Sequence, residues 1–202
     1  YYPRVLRELK AALPQVALKA FTATEIHFFE EISGLPAEEV LDELIDAGLE
    51  SLTGGGAEIF DWEVRQHIVD HKTHWEDWSR IHRIAHGRGL KTPCTMLYGH
   101  IEEHRHRVDH VLRLRELQDE TGGFVVFIPL RYQHDGSGDS SRNRLMDRTT
   151  MASGAEALRT FAVSRLLFDN IDHVKNFWVM HGLSTAQLSL SFGADDLDGS
   201  VV

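Results

Sequence analysis

Short apolar runs alternate along the chain with longer stretches in which apolar positions recur every three or four residues. The first pattern marks buried strands, the second amphipathic helices. Residues 16–21, after the break at Pro14, read as a strand, and the residues before that break read as part of a helix. Over residues 36–47, Val40, Leu41, Leu44 and Ile45 form one apolar face; Pro36 suits the first helical position and Gly48 ends the helix. Residues 49–52 are the next strand and run into Gly54-Gly55-Gly56. Two helical pieces follow at 62–67 and 75–86, the second closed by Gly89, and then a strand at 92–98 rich in β-compatible residues. A long helix over 102–118 carries Val108, Val111, Leu112, Leu114 and Leu117 mostly on one side and stops at Gly122-Gly123. Residues 124–130 are apolar on both faces, as parallel strands are. A helix at 155–168, a strand at 174–180, a helix at 184–192 and a strand at 195–201 complete the pattern.

Six strands separated mostly by helices imply a parallel sheet with right-handed crossovers. A complete eight-unit barrel needs about 250 residues, so six units predict an α/β fold that is part of a (β/α) TIM-type barrel, a single domain with material missing at one or both ends. An open doubly wound sheet is the alternative, but the Gly-x-Gly-x-x-Gly turn it calls for is absent. Ligands of such barrels sit at the C-terminal ends of the strands. Candidate functional positions are therefore residues 22–25, 54–58, 98–100 and 131–134, His181, and residues 195–198. The polar segment 132–153, rich in Gly, Ser, Asp and Arg, is long for a loop in a compact domain and reads as mobile or functional.

Composition narrows the partners. The chain of 202 residues is 42% apolar and 26% charged with a net charge of −10, which describes a globular protein. That balance argues against a nucleic-acid module and against docking on anionic lipid, and no apolar run reaches the ~18 residues needed to span a bilayer. A single cysteine, Cys94, allows no intrachain disulfide, so a cytoplasmic protein is expected. One thiol also cannot hold an iron–sulfur cluster, which takes several. The pairs His67/His71, His82/His86, His100/His104 and His106/His110 have metal-binding i,i+4 spacing, but they sit among Arg and Asp with no His-Glu-x-x-His, and read as surface residues. Trp62, Trp75 and Trp78 read as packing of the two-piece helix on the barrel wall, and Cys94 as a small core residue.

Leu18-Lys-Ala-Phe-Thr-Ala-Thr-Glu-Ile26, Gly54-Gly-Gly-Ala-Glu-Ile-Phe60 and Thr95-Met-Leu-Tyr-Gly-His100 resemble successive strand ends of one group of radical S-adenosylmethionine enzymes. Leu114-Arg-Glu-Leu-Gln-Asp-Glu-Thr-Gly-Gly-Phe124, Ala162-Val-Ser-Arg-Leu166 and Phe192-Gly-Ala-Asp-Asp-Leu-Asp-Gly199 resemble the same group, in the same order. It contains the aminofutalosine synthases, the dehypoxanthine futalosine cyclases and the deazaflavin (FO) synthases. The runs at 95–100 and 195–199 are most similar to the aminofutalosine synthase branch. The resemblance implies a step in menaquinone biosynthesis: a reduced [4Fe-4S] cluster cleaves S-adenosylmethionine, and the 5′-deoxyadenosyl radical adds to 3-[(1-carboxyvinyl)oxy]benzoate to give aminofutalosine. It also implies a small-molecule substrate and a low-potential electron donor. The family's Cys-x-x-x-Cys-x-x-Cys loop is absent, so the chain looks like strands three to eight of the barrel, with the cluster loop and the C-terminal extension outside it: either a fragment of a longer enzyme of this branch or of the sister cyclase and FO synthase branches, or a non-catalytic barrel remnant that binds a nucleoside or a partner. Smaller departures are Thr53, the run Arg131-Tyr132-Gln133 and the Arg-rich loop at 142–148.

On that resemblance, Gly54, Gly55 and Gly56 let the backbone approach S-adenosylmethionine, or simply turn tightly. Glu58 and Glu25 accept from a ribose or ammonium group, or cap helices. Thr95 and His100 flank a strand end; His100 donates to a substrate carboxylate or shuttles a proton, or is a surface histidine at a helix start. Arg165 is an interior cation for a substrate carboxylate, or the partner of Asp169 four residues on. Asp195, Asp196 and Asp198 meet nucleoside hydroxyls or cationic partners, or are solvated at a strand end.

Overall fold

Strand and helix alternate from the start of the chain in the computed structural model, which describes residues 1–69, 73–133 and 152–199. Helix α1 (Tyr2–Ala12) turns Leu6 inward and leads to the two-residue strand β1 (Leu18–Lys19). Helix α2 (Ala23–Ser33), which the apolar pattern does not predict, follows at once. It is nucleated by a capping box in which Thr22 accepts from the Glu25 amide while the Glu25 carboxylate takes the Thr22 amide. Gly34, in the left-handed conformation, ends it. Helix α3 (Ala37–Asp46) buries Val40, Leu41 and Leu44 as its periodicity demands, with Pro36 one position earlier than expected, at the N-cap. Strand β2 (Leu49–Ser51), helix α4 (Trp62–Ile68) capped by Asp61, and helix α5 (Trp75–Gly87) follow.

Strand β3 (Thr92–Tyr98) has the bounds its composition predicts and is the best buried of the six. Helix α6 (His104–Thr121) lies outside it and stops at Gly122. After β4 (Phe124–Arg131) come α7 (Gly154–Leu167) and β5 (His173–Phe177). The run predicted as strand to residue 180 breaks at Phe177 into the helical turn α8 (Trp178–His181). Helix α9 (Leu183–Ser189), a 3₁₀ turn and β6 (Asp196–Asp198) complete the described chain. Most of the predicted loop 132–153, its Arg-rich part included, lies outside the described residues.

All strand pairings are parallel: β1 with β2, and β3-β4-β5-β6 in order. Between the two groups the chain beyond β2 runs along β3. Ser51 Oγ donates to Lys91 O (2.7 Å), Thr95 Oγ1 to Gly54 O (2.7 Å) and Leu97 N to Glu58 O (2.8 Å). The row curves. A flat six-strand row would hold its outer strands about 24 Å apart at ~4.8 Å per step, yet Lys19 on β1 has Lys175 on β5 and Asp198 on β6 as its electrostatic neighbours. The strands thus form an arc of a TIM-type barrel, helices outside and a concave face within. The core between strands and helices is anchored by Trp78, Phe127, Phe161, Ile26 and Leu41, all fully buried.

Candidate functional site

The segment between β2 and α4 crosses the C-terminal ends of β2 and β3. Its six consecutive carbonyls, residues 54–59, all accept hydrogen bonds from protein groups. Gly54 O accepts from Thr95 Oγ1, Gly55 O from Trp78 Nε1 (3.3 Å), and Glu58 O from Leu97 N. The remaining three converge on one side chain: Arg65, 1% exposed on α4, donates to Gly56 O (2.7 Å), Ala57 O (2.6 Å) and Ile59 O (3.2 Å), and to Thr73 O (2.5 Å) beyond them. Burial pulls Arg65 below the usual arginine range, the nearby Glu58 opposing, and the guanidinium stays charged.

Two of the three glycines are dictated by close approach. A Cβ on Gly54 would lie 2.9 Å from Pro93 O on β3. One on Gly56, which sits at φ +85°, would lie 2.4 Å from Thr24 Oγ1 at the start of α2. Glycine here lets the loop sink onto β3 and α2. Glu58 is left-handed (φ 46°), as is Phe21 (φ 64°) at the end of β1. Non-glycine residues held so cost about 1–3 kcal/mol each and concentrate at functional sites. The Glu58 carboxylate lies within electrostatic range of both Arg65 and His100.

Next along the rim, the turn after β3 is built around Glu102. Its side chain is fully enclosed and accepts from Gly99 N (2.6 Å), His100 N (2.9 Å) and Arg107 Nε (2.6 Å); Arg107 also reaches Glu156 on α7 (2.7 Å) and lies over the Tyr98 ring. His100 is buried in this knot rather than on the surface at a helix start, because the chain turns inward before α6 begins at His104. Its Nε2 lies 3.1 Å from Leu97 O, an acceptor, which assigns the ring proton to Nε2. Nδ1 then presents a lone pair 3.0 Å from Glu102 Oε2, outside hydrogen-bond geometry. Burial lowers the His100 pKa, with Glu102 and Leu97 O opposing and Arg107 reinforcing.

Thr95 and Glu25 have their polar groups engaged, Thr95 on Gly54 O and Glu25 in the α2 capping box. Arg165 and Asp195 are brought together, but at the opposite end of the sheet, because α7 runs antiparallel to the strands and Asp195 precedes β6. Arg165 donates to Gly193 O (2.9 Å) and Asp172 O (3.2 Å) and pairs with Asp195 Oδ1 (3.1 Å). Asp195 also accepts from Val174 N and contacts His173. Arg165 is thus neither an interior cation nor the partner of Asp169, which is held bidentately by Arg115 from α6. Asp196 and Asp198 flank Lys175 on the concave face at 2.9 and 3.3 Å.

The histidines correct the surface reading. His82 and His110 are fully buried and His86 nearly so, because each finds an aromatic ring or a backbone acceptor: His82 stacks on Trp78, His110 on Phe60 with Nε2 on Thr95 O, and His86 bridges Thr92 and Thr121. His106 is buried in the α6 capping box, while His67 and His104 are exposed and His71 lies outside the described residues. At the end of β5, His181 Nε2 meets Tyr98 Oη at 2.9 Å. Among the described residues no three His, Cys, Asp or Glu side chains gather to hold a metal. Trp62 is half-exposed and stacks on His74 rather than on the barrel wall. Cys94 is buried with its thiol raised by burial, its Sγ 3.6 Å from Val126 O.

Arg65, Glu102, Arg107 and Lys175 were not singled out from sequence, since their acceptors and partners are set by the tertiary fold. A Glu three residues after Gly99 and an Arg five beyond it were the available signals for the turn.

A family model described as the CofH/MqnC C-terminal region matches residues 121–202. Over the whole chain, identity is 81% to aminodeoxyfutalosine synthase of Streptomyces coelicolor and 47% to aminodeoxyfutalosine synthase of Thermus thermophilus, covering 53% and 54% of those proteins. It is 37% to 5-amino-6-(D-ribitylamino)uracil–L-tyrosine 4-hydroxyphenyl transferase of Methanopyrus kandleri, again over all of this chain and 54% of that protein. The chain spans about half the length of the curated relatives it matches. The crystal structure of methylornithine synthase (PylB) superposes with a TM-score of 0.65 over all of this chain and 52% of that one; at 12% identity the likeness is one of fold.

Proposed function

The chain belongs to the family of the aminodeoxyfutalosine synthases, and from that premise we propose that it is the part of a radical S-adenosylmethionine enzyme that binds cofactor and substrate at the C-terminal rim of its strands. The observation that carries this reading is the 81% identity over the entire chain, which includes every rim element described above. The full-length protein then makes aminofutalosine from 3-[(1-carboxyvinyl)oxy]benzoate, in the cytoplasm, with electrons from a low-potential donor.

The residues present do not fit the [4Fe-4S] cluster. The one cysteine is buried on β3 against β4, and a cluster needs several thiolates. They do fit S-adenosylmethionine: the loop 54–59 has all its carbonyls turned into the protein, and its strained Glu58 stands at a strand end. When bound, that cofactor supplies the 5′-deoxyadenosyl group added to the substrate. Gly54, Gly55, Gly56 and Glu58 border the cofactor, while Glu25 and Thr95 hold α2 and the loop in place. His100 Nδ1 is a proton acceptor beside Glu102. Asp196, Asp198 and Lys175 form the polar wall facing the substrate. The test is anaerobic reconstitution of the full-length protein with S-adenosylmethionine, reductant and 3-[(1-carboxyvinyl)oxy]benzoate, reading product mass. The mass of aminofutalosine is expected; cofactor cleavage with no adduct would contradict the substrate assignment.

A further inference from the structure

A buried guanidinium on backbone carbonyls is an expensive arrangement. Among the described residues no carboxylate is in hydrogen-bond contact with Arg65 and its Nε has no partner; four carbonyls spread over residues 56–73 take its other N–H groups. Desolvating a charge for neutral acceptors costs several kcal/mol, and α4 does not need it, being capped by Asp61 and packed through Val64. What the arrangement does is orient a loop. In a trans peptide the N–H of the following residue points away from the carbonyl. With Gly55 O on Trp78 and Gly56 O on Arg65, the N–H groups of Gly56 and Ala57 are turned away from α4 and α5. Both residues are buried, and among the described residues nothing accepts from either amide.

We propose that Arg65 is a positioning residue for cofactor binding: by holding the carbonyls of residues 56, 57 and 59 it fixes the loop that carries Glu58 to the strand end, in the conformation in which that loop borders S-adenosylmethionine. This rests on the reading of the loop as the cofactor's. Arg65 touches no ligand; it acts through the loop. Lysine cannot replace it, because a single ammonium does not span four carbonyls in the way a planar fork does.

The experiment is calorimetric titration of S-adenosylmethionine into the full-length, cluster-loaded protein without substrate. It compares wild type, Arg65→Lys, Arg65→Ala and Leu117→Ala, the last a core truncation on α6 away from the rim. Both Arg65 variants are expected to weaken binding by about tenfold or more, as misplacing a binding loop does, and added methylguanidinium to recover part of the loss in Arg65→Ala. Leu117→Ala is expected to lower Tm while binding within about twofold of wild type. If Arg65→Ala does not fold, Arg65→Lys together with hydrogen exchange of residues 54–59 decides: the cofactor is expected to slow exchange there in wild type and not in the variant. Folded Arg65 variants that bind as wild type does, or losses that Leu117→Ala reproduces, overturn the inference. Wild type that binds no S-adenosylmethionine overturns the cofactor reading, and the inference with it.

Discussion

The two ends of the strands treat polar groups in opposite ways. At the N-terminal end, Arg165, Asp195 and His173 form a set of mutual partners, and Arg115 grips Asp169 nearby, all with substantial exposure. The Arg115 and Asp195 groups there are displaced in the direction that favours their charges. At the C-terminal end, Glu102, His100 and Arg65 are buried, and orphan atoms remain on the charged or titratable groups Arg65 Nε and His100 Nδ1, where the N-terminal end leaves the neutral Asn170 Oδ1. Satisfied, half-exposed pairs serve stability at little cost. Buried polar groups with spare capacity cost free energy unless something else completes them. The same chain thus pairs its charges in half-exposed contacts at one end and encloses them at the other.

Acid has the largest expected effect. Burial lowers His82 and His110 to about 3 and His86 and His181 to about 4; His181 lies at the C-terminal rim, His82 and His110 in the wall, and His86 at the N-terminal end between Thr92 and Thr121. Between about 6.5, the unfolded value, and these folded values the unfolded chain binds more protons, so stability rises with pH through this window and is lost as pH falls. Each of the four contributes about 2 kcal/mol between pH 6.5 and 5. Urea unfolding of the full-length protein is expected to show a drop of several kcal/mol from pH 7 to 5, with a shallower slope in His110→Phe; a flat profile would contradict the buried, neutral histidines. The carboxylate pairs of the N-terminal end contribute fully across this window and lose their contribution only at lower pH, since Asp195 and Asp169 are held below the usual carboxylate value.

Arg107→Ala comes next. It leaves the enclosed Glu102 charge uncompensated and is expected to cost about 3–5 kcal/mol, read as a fall in the denaturation midpoint. Gly56→Ala meets Thr24 at a positive φ and is expected to cost about 1–3 kcal/mol. Gly34→Ala, also at positive φ but with open space around it, is expected to cost about 1 kcal/mol, and equal costs would mean that the loop does not press on α2. Smallest is Arg115→Ala at the other end, expected to change stability by about 0.2–1 kcal/mol and cofactor affinity not at all.

Much of the fold was legible because β3 and α3 state their patterns cleanly and glycines mark the element ends; α6 and β4 were legible in extent, but Val108 and Leu112, read onto the apolar face of α6, and Val125, read as buried on β4, are exposed. Helix α2 was hidden because Phe28 and Ile32 are exposed beside the buried Ala23, Ile26 and Phe29, which blurs the apolar face. Its readable signal was Thr22-x-x-Glu25. The rim loop was legible from three adjacent glycines, but not what holds it: Arg65 meets carbonyls six to nine residues away only once the loop has folded back over α4. Arg165 and Asp195, thirty positions apart, are joined by the packing of α7 against the turn before β6, which no local pattern encodes. Histidine burial was invisible for the same reason, since a ring stacked on Phe60 or Trp78 looks in sequence like any polar helix position.

The most direct measurement is the hydrogen-exchange footprint of S-adenosylmethionine on the full-length, cluster-loaded protein. Slowed exchange is expected in residues 54–60 and 97–102 and none in 165–173 or 193–195. Protection confined to the N-terminal end, or a footprint that leaves 54–60 untouched, would contradict it.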